Sequence, residues 1–199
     1  MKKLSLLLFI VLSILANNAN HDVHADEYHW SGAQTLTSVG GGVEVHEQVL
    51  VFGKGVFFYV PETGFNQYFL YSGIIWAPAD FFNVSIFGGY AGNFIANSDA
   101  GLVGITPELK LLNGDLSLSV DLEFYFNKDD PFKLYAFYDA SYTFHDPFGI
   151  GLHVEQVDDE ITWGPHFSFR QGPWKLTLSA FIDHFNGGYT LRITNGLWF

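Results

Sequence analysis

The stretch Leu116-Ser117-Leu118-Ser119-Val120-Asp121-Leu122-Glu123-Phe124-Tyr125-Phe126 alternates without a break. Its even positions are all apolar, and its odd positions are Ser, Ser, Asp, Glu and Tyr. Period two sorts these side chains onto opposite faces of a strand, whereas the roughly 100° step of a helix would scatter them. Trp174 to Asp183 repeats the pattern, with Trp174, Leu176, Leu178, Ala180 and Ile182 opposite Lys175, Thr177, Ser179, Phe181 and Asp183. So does Phe148 to Val154, with Phe148, Ile150, Leu152 and Val154 opposite Gly149, Gly151 and His153.

Turn chemistry separates these runs. It occurs at Pro61 to Gly64, Ala77 to Asp80, Asn113-Gly114, Asn127 to Pro131, His145 to Pro147, Asp158 to Glu160, Gln171 to Pro173 and Asn186 to Gly188. Gly supplies positive φ, Pro presets φ, and Asn and Asp tolerate the left-handed region. With one longer connection from Ala91 to Gly101, the region 49–199 reads as about ten antiparallel strands, eight or twelve being the neighbouring counts. No stretch carries a helical period. Pro107 and Pro165 fall inside strands, where a missing N–H predicts a bulge. The polar segment 26–48 reads as a tail outside the sheet, with a further strand as the alternative.

Composition supports an all-β reading and removes other classes. The 199 residues include 21 Phe, 10 Tyr, 5 Trp and 21 Gly, and only 15% are charged, so neither a disordered chain nor a coiled coil fits. The absence of Cys excludes disulfides and thiolate metal sites. A net charge of −12 removes the electrostatic basis for nucleic-acid binding. At the N-terminus, Lys2 and Lys3 precede an apolar run from Leu4 to Leu15. That run is shorter than the roughly 20 residues of a membrane-spanning helix and has the form of a secretory signal, residues 1–25, with cleavage expected after Ala25. Cleavage would leave 7 basic and 20 acidic residues, because Lys2, Lys3 and Asp22 depart.

Alternation does not say which face is outside. The last strand does: Tyr189, Leu191, Ile193 and Leu197 share one register, and the chain ends at Phe199. This closing strand resembles the C-terminal assembly signature of Gram-negative outer-membrane β-barrels, of a porin-like kind, with Asn195 as one departure from the apolar register. The polar face, rich in Ser, Thr, Gly and Asn, and the aromatics near strand ends (Trp76, Tyr142, Phe144, Trp174) suit a lumen and two interfacial girdles. The resemblance implies a transmembrane barrel located in the bacterial outer membrane, in contact with outer-membrane lipid and lipopolysaccharide and inserted by the barrel-assembly machinery. It also implies that Phe199 lies on the periplasmic side. The turns near Gly172, Pro147, Gly114 and Pro78 then share that side, and those near Gly187, Asp159, Asp130, Asn97 and Thr63 are extracellular. With an even strand count, both termini are periplasmic, and the segment 26–48 is expected to be a periplasmic tail.

With the apolar face outward, the inner positions are Lys54, Glu108, Lys110, Asp121, Glu123, Asp139, His153, Glu155, His166, Arg170, Lys175, Asp183 and Arg192. Five bases nearly balance the acids, and Phe87, Tyr125, Tyr135, Phe137 and Phe181 share the inward parity. Small barrels fill with side chains, so the lumen is expected to be narrow or plugged, and the expected function is porin-like or structural. His166, Ser168 and Asp183 share one face of adjacent strands, and a Ser-His-carboxylate set is the generic acyl-transfer arrangement. That makes an outer-membrane lipid-modifying hydrolase the enzymatic alternative. No G-x-S-x-G, H-E-x-x-H or phosphate-binding glycine loop occurs, and no cofactor or metal is expected. A third reading is an adhesin acting through acidic loops that carry Glu62, Asp99, Asp129, Asp130, Asp158, Asp159 and Glu160.

Overall fold

The computed structural model describes residues 29–61, 63–93, 98–127, 133–157, 160–183 and 188–199, so the signal-like segment 1–25 lies outside it. Eleven strands form a closed barrel. They are β1 (His29–His46), β2 (Val49–Val60), β3 (Phe65–Ala79), β4 (Phe82–Asn93), β5 (Ser98–Leu111) and β6 (Leu116–Phe126). Next come β7 (Lys133–His145), β8 (Phe148–Val157), β9 (Glu160–Gln171), β10 (Trp174–Asp183) and β11 (Gly188–Trp198). Each strand pairs with its sequence neighbours in antiparallel register, and the barrel closes through one parallel ladder between β1 and β11, from His29↔Gly188 to Gly40↔Trp198.

The ten expected strands are β2 to β11. The segment 26–48 is corrected: it is not a tail, because His29–His46 is a strand paired on both sides. A sheet of ten would leave the N–H and C=O rows of β2 and β11 unpaired, and β1 covers both edges at once. Its outward Val39, Val43 and Val45 are 50%, 69% and 61% exposed, and apart from Leu36 its inward positions are small or polar. The odd count also corrects the expectation that both ends share one side. Parallel strands start together, so His29 sits at the Thr63 end of the barrel and Phe199 at the Gly114 end.

The prolines are corrected as well. Register on either side of Pro107 is unbroken, Ile105↔Leu122 and Glu108↔Ser119, and the same holds for Ser179↔His166 and Ile182↔Trp163 around Pro165. Each proline costs the ladder local pairs without inserting a bulge, and each keeps a partner on its other side, Val84 and Leu152. At the Asn113-Gly114 turn, Leu112, Asn113 and Gly114 all adopt positive φ, of 53°, 60° and 97°.

Side chains sort as a lipid-facing barrel requires. Every strand presents a large exposed apolar residue outward, among them Leu70, Ile86, Ile105, Ile150, Leu178 and Ile193. Exposed aromatics rim both ends, with Phe65, Tyr90, Phe126 and Tyr189 at the Thr63 end and Trp76, Phe81, Phe144 and Phe199 at the other. This is the two-girdle pattern of an outer-membrane-type barrel. The buried apolar cluster, Phe52, Phe87, Ala91, Leu102 and Tyr125, lies inside the lumen on β2 and β4 to β6.

Candidate functional site

The lumen has two unlike walls. On β2 to β6, aromatic rings interlock: Tyr71 and Phe87 meet edge-on at 5.4 Å between centroids, Phe69 and Tyr125 at 6.4 Å, and Phe52 and Phe87 at 6.5 Å. Glycine makes this packing fit. A Cβ on Gly104 would stand 2.3 Å from the Phe87 ring, so the inward ring occupies space that any other residue would fill.

The other wall is ionic, built on β1, β7, β8, β9 and β11. Glu155 and Arg192 pair in bidentate fashion: Nη2 donates to Oε2 at 3.0 Å, and Nη1 bonds Oε1. Gln34 of β1 accepts from Arg192 Nε and Nη2 at 2.9 and 2.7 Å, and the guanidinium lies 4.5 Å from the Phe181 centroid. His153 bridges the next step, Nε2 to Glu155 at 3.1 Å and Nδ1 to Asp139 at 3.3 Å. Asp139 also accepts from His166 Nε2 at 3.0 Å and from the Ser141 hydroxyl. Cross-strand register explains the chain: Asp139 lies opposite His153, Gly151 opposite His166, and Ser179 opposite both His166 and Arg192. Gly151 admits the imidazole, because a Cβ there would stand 2.3 Å from His166 Nε2. Buried charges are costly unless paired and hydrogen-bonded, and these are both.

Two cavities enter from opposite ends. The larger, about 830 Å³, is lined by Lys54, Asp121, Glu123, Asp139, His153, Glu155, His166, Lys175 and Arg192 together with the aromatic wall. The smaller, about 550 Å³ at the Gly114 end, is bordered by Glu108 and Lys110. There Glu108 accepts from Asn83 Nδ2 and Ser117 Oγ, both at 2.7 Å, with Lys110 Nζ at 3.8 Å. Thr106 and Ser119 border both cavities. Arg170 pairs in register with Lys175 and is exposed near the Gly114 end. Asp183 holds an inner register position opposite Thr162 and Gly188, and its side chain is outside the described residues. Phe199 ties the seam: its N–H donates to Gly40 O at 3.0 Å, and its carbonyl accepts from Gly42 N at 3.1 Å.

Of the trio His166, Ser168 and Asp183, no hydrogen bond joins His166 to Ser168 among the described residues, and the Asp183 side chain lies outside them. The hydroxyl near His166 is that of Ser141, 3.4 Å from Nε2, and its carboxylate is Asp139, at the same Nε2. An acyl-transfer base uses opposite ring nitrogens for nucleophile and acid. Here Nδ1 is buried with no hydrogen-bond partner among the described residues. No metal-holding group of His and carboxylates occurs among the described residues either. Of the loop acids, Glu62, Asp129, Asp130, Asp158 and Asp159 fall outside those residues, while Asp99 accepts from Tyr90 OH at 2.6 Å. Reading the sequence missed Gln34, since β1 carries little alternation, and Ser141, whose shared parity with Asp139 was the available signal. No family model matches the chain, and no curated protein compared with it matches.

Proposed function

We propose that this chain is an exported porin-like barrel of the Gram-negative outer membrane, with a lumen too narrow for bulk solute flow. The observation that carries the reading is that two cavities, about 830 and 550 Å³, enter from opposite ends and share Thr106 and Ser119 as common borders. Bulky Phe52, Phe87, Tyr125 and Phe181 are buried inside the same lumen. The apolar outer face and its two aromatic rims support insertion in lipid, next to lipopolysaccharide on the outer leaflet. The apolar outward face of β11, with Tyr189, Leu191 and Ile193 exposed, supports handling by the barrel-assembly machinery. Reconstitution into planar bilayers tests the reading. The expected result is small discrete steps, well below those of a roughly 16-stranded porin in the same salt. Large unselective conductance would overturn it.

A further inference from the structure

We propose that the larger lumenal cavity is a binding site for a small organic cation, an ammonium compound of choline size. The acids that hold it are Asp121 and Glu123, and the rings around it are Phe69, Tyr71, Tyr125 and Tyr135. A volume of about 830 Å³ is that of a small-ligand site.

Two acid pairs line this cavity, and they differ in one respect. Asp139 and Glu155 are matched by His153, His166 and Arg192. Asp121 and Glu123, two residues apart on the inner face of β6, take hydroxyl donors instead: Thr106 Oγ1 at 2.9 Å and the Tyr125 phenol. Among the described residues neither forms an ion pair with Lys or Arg, although Glu123 is only 5% exposed. A buried carboxylate without a cation is costly, and a cation that reaches it gains in proportion.

The neighbouring rings give the ligand its class. Tyr125 and Tyr135 stand 4.7 Å apart, and Phe69 stacks on Tyr71 at 6.0 Å, and these four rings line the same cavity as the two carboxylates. Rings of this kind attract ammonium and guanidinium groups through their quadrupoles. The protein's own cations already use them: Arg192 lies over Phe181 at 4.5 Å, and Lys54 Nζ is 5.8 Å from the Tyr71 centroid. Lys54 stands beside the two acids without forming an ion pair with either among the described residues. The site needs the barrel alone and does not depend on conduction.

The chain refolded in detergent is titrated calorimetrically with choline and with its uncharged isostere 3,3-dimethylbutan-1-ol. Choline is expected to bind, with the isostere weaker by about tenfold or more. Glu123→Gln and Asp121→Asn should each weaken choline about tenfold, and Lys54→Met should tighten it. Glu108→Gln, in the smaller cavity, should leave it unchanged. Equal affinity for choline and isostere, absence of choline binding to a protein whose gel mobility shifts on boiling, or unchanged affinity in both acid variants would overturn the proposal. If Glu123→Gln does not refold, Asp121→Asn and Lys54→Met decide it.

Discussion

Asn195 is the one polar side chain in the apolar register of the last strand, and the structure shows what satisfies it. The Trp174 indole N–H donates to Asn195 Oδ1 across the β10–β11 ladder, so the amide on the outer face has its partner. Removing one member of such a pair costs more than removing both. Trp174→Phe should therefore destabilise the barrel by about 1–2 kcal/mol, and Trp174→Phe with Asn195→Leu should recover most of it. Urea midpoints in lipid vesicles read this, and an unstable double variant would contradict it. The same logic holds inside. Arg192→Met leaves Glu155, 9% exposed, without its guanidinium, a loss of about 3 kcal/mol. The double change Arg192→Met with Glu155→Met should be much milder by the same measurement.

The informative element is β1. Its Gly40-Gly41-Gly42 run gives no alternation, and the reason is steric. A Cβ on Gly40 would stand 2.7 Å from the Trp198 ring, one on Gly42 would stand 2.2 Å from Leu50, and one on Gly41 would meet Phe199 O at 2.9 Å. Gly40 and Gly42 are small because neighbours fill the lumen in their place, and Gly41, on the outward parity, because the Phe199 carbonyl lies against it. Gly40→Ala should lower stability by about 1–3 kcal/mol, and adding Trp198→Ala should relieve part of that clash. A Gly40→Ala barrel of unchanged stability would remove this account of the seam. Of the other ten strands, β6, β8 and β10 were legible from their alternation, and the rest from the turn residues that bound them. The proline positions were misread because a strand can lose ladder bonds on one side and keep register on the other.

At the scale of the whole molecule, the odd strand count sets where the chain ends fall. β1 and β11 run parallel, so His29 lies at the Thr63 end, opposite Phe199. The chain has no native Cys, so single introduced thiols report sidedness cleanly. On intact cells an impermeant maleimide should label Thr63→Cys and His29→Cys alike, and should not label Gly114→Cys. If His29→Cys is labelled with the Gly114 side instead, the parallel seam is wrong.

What the sequence determined by itself was the alternation, and with it the strands, the apolar outer face and the inward parity of Lys54, Asp121, Asp139, His153, Glu155, His166 and Arg192. Parity is a local property of extended backbone, so it needs no knowledge of partners. Only the tertiary structure decided which inner residues meet. His166 lies with Asp139 and Ser141 because β7, β8 and β9 pair in one particular register, and Gln34 reaches Arg192 because β1 closes on β11. Strand register and barrel closure join residues up to 158 positions apart, and nothing local in the chain encodes that meeting.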